Sequence, residues 1–70
     1  MNDEDRAVLD LSRREFGSPH AHAEAVRSVL GMSVTRYFQE LNRLVDDPEA
    51  LAYSPTVVKR MRRARRRRNT

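Results

Sequence analysis

Every proline in this chain follows a residue able to cap a helix: Ser18-Pro19, Asp47-Pro48 and Ser54-Pro55. Proline at the first helical position gives up an N–H that no helical carbonyl would accept. The Ser or Asp before it can accept from the next free N–H groups. Three helix starts are thus fixed by local chemistry. A fourth lies at Asn2 or Asp3, with Asp3, Glu4 and Asp5 in a first turn where the helix dipole favours anions. No alternating Val/Ile/Thr run offers a strand. The expected fold class is all-α: a small helical domain of three main helices with a helix-turn-helix, plus a basic C-terminal helix.

Seventy residues make one domain with a thin core, for which a stability of about 3–5 kcal/mol is expected. With no Cys, neither a disulfide nor a Cys-based zinc site can reinforce it. The first helix is expected from Asp3 to about Glu15, with Val8, Leu9, Leu11 and Phe16 facing inward and Gly17 closing it in the left-handed conformation. The second opens at Ser18-Pro19, buries Ala23, Val26, Val29 and Leu30, and ends at Gly31. Met32 can plug the core and Ser33 can cap a third helix, Val34 to about Val45.

That third helix has the cleanest amphipathic stripe: Val34, Tyr37, Phe38, Leu41, Leu44 and Val45. Tyr37 and Phe38 are read as core, Phe38 nearer the edge. At about 100° per residue the opposite face is centred on Arg36, Gln39 and Arg43, with Thr35, Asn42 and Asp46 beside them. The last helix turns Val57, Val58 and Met61 inward, and Lys59, Arg60, Arg62 and Arg63 outward. Residues 1–64 are expected to form the domain, with the helix-turn-helix at about 18–45. Residues 65–70, with nothing apolar to bury, are expected to be a disordered basic tail.

Charge is sharply divided. Before Ala50, ten acids face six Arg; from Ala50 onward there are eight basic residues and no acid. Clustered guanidinium groups are best rewarded by a polyanion, because phosphate contacts release condensed counterions. Two helices around a glycine corner form the helix-turn-helix outline, whose second helix lies in a major groove. Arg36 and Arg43 suit guanine edges or phosphates; Gln39 and Asn42 suit adenine; Ser33 and Thr35 suit phosphate. Glu40 fits this set poorly, unless it accepts from cytosine, pairs with Arg36 or signals a shifted register. The expected contacts are Ser33, Thr35, Arg36, Gln39, Asn42 and Arg43, with Lys59, Arg60, Arg62, Arg63, Arg65, Arg66, Arg67 and Arg68 on the backbone of double-stranded DNA.

The stretch Leu30-Gly31-Met32-Ser33-Val34-Thr35-Arg36-Tyr37-Phe38-Gln39, then Leu41-Asn42-Arg43-Leu44 and Asp47-Pro48-Glu49-Ala50-Leu51, resembles a family of small actinobacterial proteins of unassigned function. Val58-Lys59-Arg60-Met61-Arg62-Arg63 matches that family's basic end, and the likeness spans Asp5 to Arg68. The family's first helix ends in an aromatic pair where this chain has Glu15-Phe16. The resemblance implies a helix-turn-helix fold and an actinobacterial or actinophage origin, and brings no activity. The opening five residues of its core also resemble the helix-turn-helix of bacterial sigma factors, which supports DNA contact by analogy.

Other functions find less support. His20 and His22, two apart on a helix, do not face each other, so no metal site or other cofactor is expected and both are read as exposed or rim residues. No catalytic constellation is present, and a chain this small is expected to lack a pocket of the usual ~300–1,000 Å³. The expectation is a non-enzymatic, cytoplasmic, nucleoid-associated regulator without a membrane span. One rival is a module docking on RNA polymerase, a sigma factor or another regulator, since DNA repels the acidic body. A second is RNA or ribosome binding through the arginines. Val57, Val58 and Met61 either close the monomer's core or form a homodimer interface.

Overall fold

The computed structural model describes the backbone of residues 1–68 and the side chains of residues 1–66. It is all-α: α1 (Asp3–Arg13), α2 (Pro19–Ala25) continued by a π-helical segment (Val26–Leu30), α3 (Val34–Val45), α4 (Pro48–Tyr53) and α5 (Pro55–Arg68). The local signals act where expected. Asn2 accepts from the Asp5 N–H while the Asp5 carboxylate accepts from the Asn2 N–H, a reciprocal box opening α1. Ser18 accepts from the Ala21 N–H, Ser33 from that of Arg36, and Asp47 from that of Glu49. The Ser54 carbonyl accepts from the Val58 N–H at the start of α5.

The core gathers residues from every helix. Val8, Leu9 and Leu11 of α1 meet Val26, Met32, the α3 residues Tyr37, Leu41 and Leu44, then Ala50, Val57 and Val58. Val45 is buried as well. Met32, at the corner between helices, fills the core as its position suggested. Val57 and Val58 are buried within this one chain, and Met61 packs against the same cluster.

Gly31 ends the π-helical segment at φ 65°, a left-handed conformation that disfavours a Cβ. A Cβ built there meets nothing within 4 Å, so the strain lies in the backbone alone. Gly31→Ala should therefore cost about 1 kcal/mol, read as a fall of several degrees in the thermal midpoint. An unchanged midpoint would mean that the corner opens without strain.

Five expectations need correction. Helix α1 stops at Arg13, and the chain leaves it through Arg14 in extended conformation (φ −77°, ψ 146°). Gly17 does not adopt positive φ and so closes nothing. Val29 is 61% exposed, because the wider π turn alters the angular spacing from Val26 and carries Val29 off the buried face. Phe38 is 50% exposed, at the margin of the α3 stripe where the core ends.

The fifth concerns the tail. The backbone of Arg65–Arg68 continues α5 as helix, where the sequence suggested disorder. Arginine is a good helix former, and a helix nucleated by Val57 and Val58 propagates at little cost. Asn69 and Thr70 lie outside the described residues. Among those described, no helix is long and apolar enough to cross a membrane.

Candidate nucleic-acid interface

On α3 the outward polar face forms as predicted: Ser33, Thr35, Arg36, Gln39, Asn42 and Arg43 are all exposed. Its cations, however, are already partnered. Arg36 donates to Glu4 at 2.9 Å, and Arg43 donates both to Glu40, at 2.8 Å, and to Asp5. Asp5 is only 5% exposed, so Arg43 neutralises a carboxylate withdrawn from water. Hydrogen bonds donated to Glu40 and Asp5 hold the Arg43 guanidinium in its charged form. Glu40, the misfit of the sequence reading, pairs with Arg43 rather than Arg36. The acids at the start of α1 thus serve two roles: they favour that helix's dipole and they bind α3.

Gln39, Asn42 and Thr35 remain on α3 without an acid or base partner among the described residues. Asn42 and Phe38 border a groove of about 220 Å³ shared with Met61, Ala64 and Arg65 of α5. The Ser33 hydroxyl caps α3 through the Arg36 N–H, so it is engaged in the fold.

The cations of α5 divide into two sets, which sequence alone did not separate. Arg60 donates to the Ser12 carbonyl at 2.8 Å, in the last turn of α1. The Nε of half-buried Arg62 donates to the Val45 carbonyl at 3.0 Å, at the end of α3. Both place positive charge where a helix dipole is negative and terminal carbonyls lack partners. Arg65 pairs with Asp46 at 2.8 Å, and that hydrogen bond with the attendant charge lowers the Asp46 pKa. Arg60 and Arg62 were expected to point only outward, but their heads fold back onto the body.

Lys59, Arg63 and Arg66 form the other set. They make no ion pair among the described residues. Their spacing of i, i+4 and i+7 places them on one face of α5, opposite Val57, Val58 and Met61. Together with Arg62 they line a shallow hollow of about 410 Å³. At 1.5 Å rise per residue the ridge is about 10 Å long, enough to follow successive phosphates of one strand. The side chains of Arg67 and Arg68, also predicted contacts, lie outside the described residues.

A second polar feature was missed because its members are far apart in sequence. The Ser12 hydroxyl donates to the Val8 carbonyl at 3.0 Å and lies 2.6 Å from the Tyr37 hydroxyl. Ser12 has one hydrogen, so Tyr37 must donate to it. The Tyr37 oxygen then accepts from His22 Nε2, 3.1 Å away. Burial raises the Tyr37 pKa, opposed by the Ser12 hydrogen bond and the Arg60 charge. His22, expected to be exposed or at the rim, is half-buried, stacked on Phe16 with centroids 4.7 Å apart and edge-on to Tyr37. Tyr37→Phe keeps the ring but breaks this relay, and should cost about 1 kcal/mol in denaturant unfolding. No loss would mean that the relay contributes nothing to the fold.

Two open surface hollows are present, one of about 490 Å³ between the end of α1, the start of α2 and Arg60, the other of about 410 Å³ along α5. A family model described as "Protein of unknown function (DUF3263)" matches residues 1–70. Neither a curated protein nor a solved structure matches the chain.

Proposed function

The chain belongs to the DUF3263 family, and from that premise we propose that it is a non-enzymatic DNA-binding protein that grips the phosphate backbone through the outer face of α5. The observation that carries this reading is the ridge of Lys59, Arg63 and Arg66, unpaired among the described residues while Arg36, Arg43 and Arg65 all hold acids. Three aligned cations left to solvent suit a row of phosphates. In this reading α2 and α3 around Gly31 act as a helix-turn-helix. Gln39 and Asn42 supply base contacts and Thr35 a phosphate contact; Arg36 and Arg43 join them only by leaving their carboxylates. The resemblance to small actinobacterial proteins agrees with a bacterial transcriptional or genome-architectural regulator associated with the nucleoid.

The test is binding of labelled random duplex, a selected duplex and structured RNA in low-salt buffer. Gln39→Ala should alter the preference among duplexes and leave random-duplex affinity nearly unchanged. Equal loss on every sequence would remove α3 as a reader; absence of binding to any duplex would remove the function. Preference for RNA would move the ridge to the ribonucleic alternative.

One observation favours a second reading, a module docking on RNA polymerase or another regulator. The α3 arginines are neutralised within the chain, while Phe38 of the same helix is exposed apolar surface. Nuclease-resistant capture of one such partner, abolished by Phe38→Ser, would favour it.

A further inference from the structure

Beyond the ridge, two more guanidinium groups converge where α1 ends. Arg14 leaves the helix in extended backbone, and its guanidinium carbon stands over the Phe16 ring, 5.4 Å from the centroid. Phe16 lies nearly parallel to His22, at 13° between ring planes. His22 is itself fixed by its hydrogen bond to Tyr37 and by edge contacts with Tyr37 and Phe38. Across from this stack Arg60 uses one N–H on the Ser12 carbonyl, leaving other donors of its fork. Arg14, Phe16, His22 and Arg60, with Gly17 and Ser18, border an open cleft of about 490 Å³. A Cβ built on Gly17 meets nothing within 4 Å, so the cleft is unobstructed there. Neither Arg14 nor Arg60 pairs with an acid among the described residues.

An aromatic platform held rigid from behind, with two arginines beside it, has the chemistry of a single-nucleotide site. Bases stack on aromatic faces irrespective of sequence, while guanidinium groups take the flanking phosphate. The exposed cation–π contact of Arg14 is the weaker competitor for the Phe16 face. We propose that this cleft binds one unpaired nucleotide: the base takes the place that Arg14 holds over Phe16, and Arg14 and Arg60 hold its phosphate. The inference rests on the nucleic-acid reading and deepens it, because Arg60 follows Lys59 on α5, about 100° around the helix, so a strand that turns off the ridge there can reach the cleft. The substrate class becomes a duplex with an unstacked base, at an end, bulge or flipped position.

The full chain would be titrated with a blunt duplex, the same duplex carrying an unpaired adenine at one end, adenosine monophosphate, and inorganic phosphate. Affinity would be followed together with NMR signals of the Phe16 and His22 rings and of the Lys59 and Arg63 amides. The overhang should bind about tenfold tighter than the blunt end, the low range for one stacked base. It should also shift both ring signals. Phe16→Leu should remove that gain and leave blunt-duplex affinity intact. Arg14→Gln, at an exposed position that threatens no packing, should reduce the gain severalfold. Equal affinity for blunt and overhanging ends, or a gain that survives both substitutions, overturns the nucleotide site while Lys59 and Arg63 shifts uphold the ridge. Mononucleotide binding as tight as the overhang would overturn the strand as its source. Silence at rings and ridge alike with every nucleic acid overturns both readings.

Discussion

Replacing Lys59, Arg63 and Arg66 together by alanine is expected to lower affinity for duplex DNA by about two orders of magnitude in low-salt buffer. Each is an exposed cation without an acid partner among the described residues. A phosphate contact from each is taken at about 1 kcal/mol, below the roughly 1.5–3 kcal/mol of a buried charge-assisted bond because these side chains are exposed. Removing all three cations then amounts to roughly a hundredfold. The slope of log affinity against log salt should flatten by about 2.7, since each bound phosphate releases about 0.9 of a counterion. Fluorescence anisotropy across a salt series measures both. The fold should be nearly untouched, because all three side chains lie on the solvent face of α5. Arg62→Ala makes the opposite control: it removes a donor from the last carbonyl of α3 and should lower stability more than DNA affinity. Were the triple variant to bind as wild type with an unchanged slope, the α5 ridge would not be the phosphate contact.

The second large effect falls on stability, at a residue whose place in the sequence suggested base recognition. Arg43→Ala strips the partner from Asp5 and leaves that buried carboxylate unpaired. Breaking a fully buried pair costs about 3–5 kcal/mol. Here half of the Arg43 side chain is in water, so about 2 kcal/mol is expected. Against a total of about 3–5 kcal/mol for a chain this small, that is a large share. The thermal midpoint should drop by about 10 °C. Asp5→Asn added to Arg43→Ala should recover part of the loss, since it removes the stranded charge. Arg36→Ala, whose partner Glu4 is itself exposed, should cost less than about 0.5 kcal/mol. Melting curves of these variants beside the parent check this, and equal effects for Arg36 and Arg43 would refute the distinction.

These expectations separate two kinds of information in the chain. The helix starts were legible because capping is a contact between neighbours: Ser18, Ser33 and Asp47 each accept from an N–H two or three residues ahead. The α3 stripe was legible because helical periodicity is also local, and Tyr37, Leu41 and Leu44 are buried as it required. Gly31 was legible for the same reason. The exceptions mark where a local rule met a neighbour. Val29 was carried off the core by a π turn, and Phe38 lay where the stripe outran the core.

Which arginines are free was a different question. All eight basic residues after Ala50 look alike in a linear count. Arg60 finds a carbonyl 48 positions away, Arg62 one 17 away, and Arg65 an acid 19 away. Arg43 reaches Asp5 across 38 residues. Phe16, His22, Tyr37 and Ser12 likewise meet only when α1, α2 and α3 pack together. Short-range capping and periodicity determined an all-α chain with a charged end. Only packing, by bringing distant groups within hydrogen-bonding reach, decided which charges hold the fold and which were left to solvent.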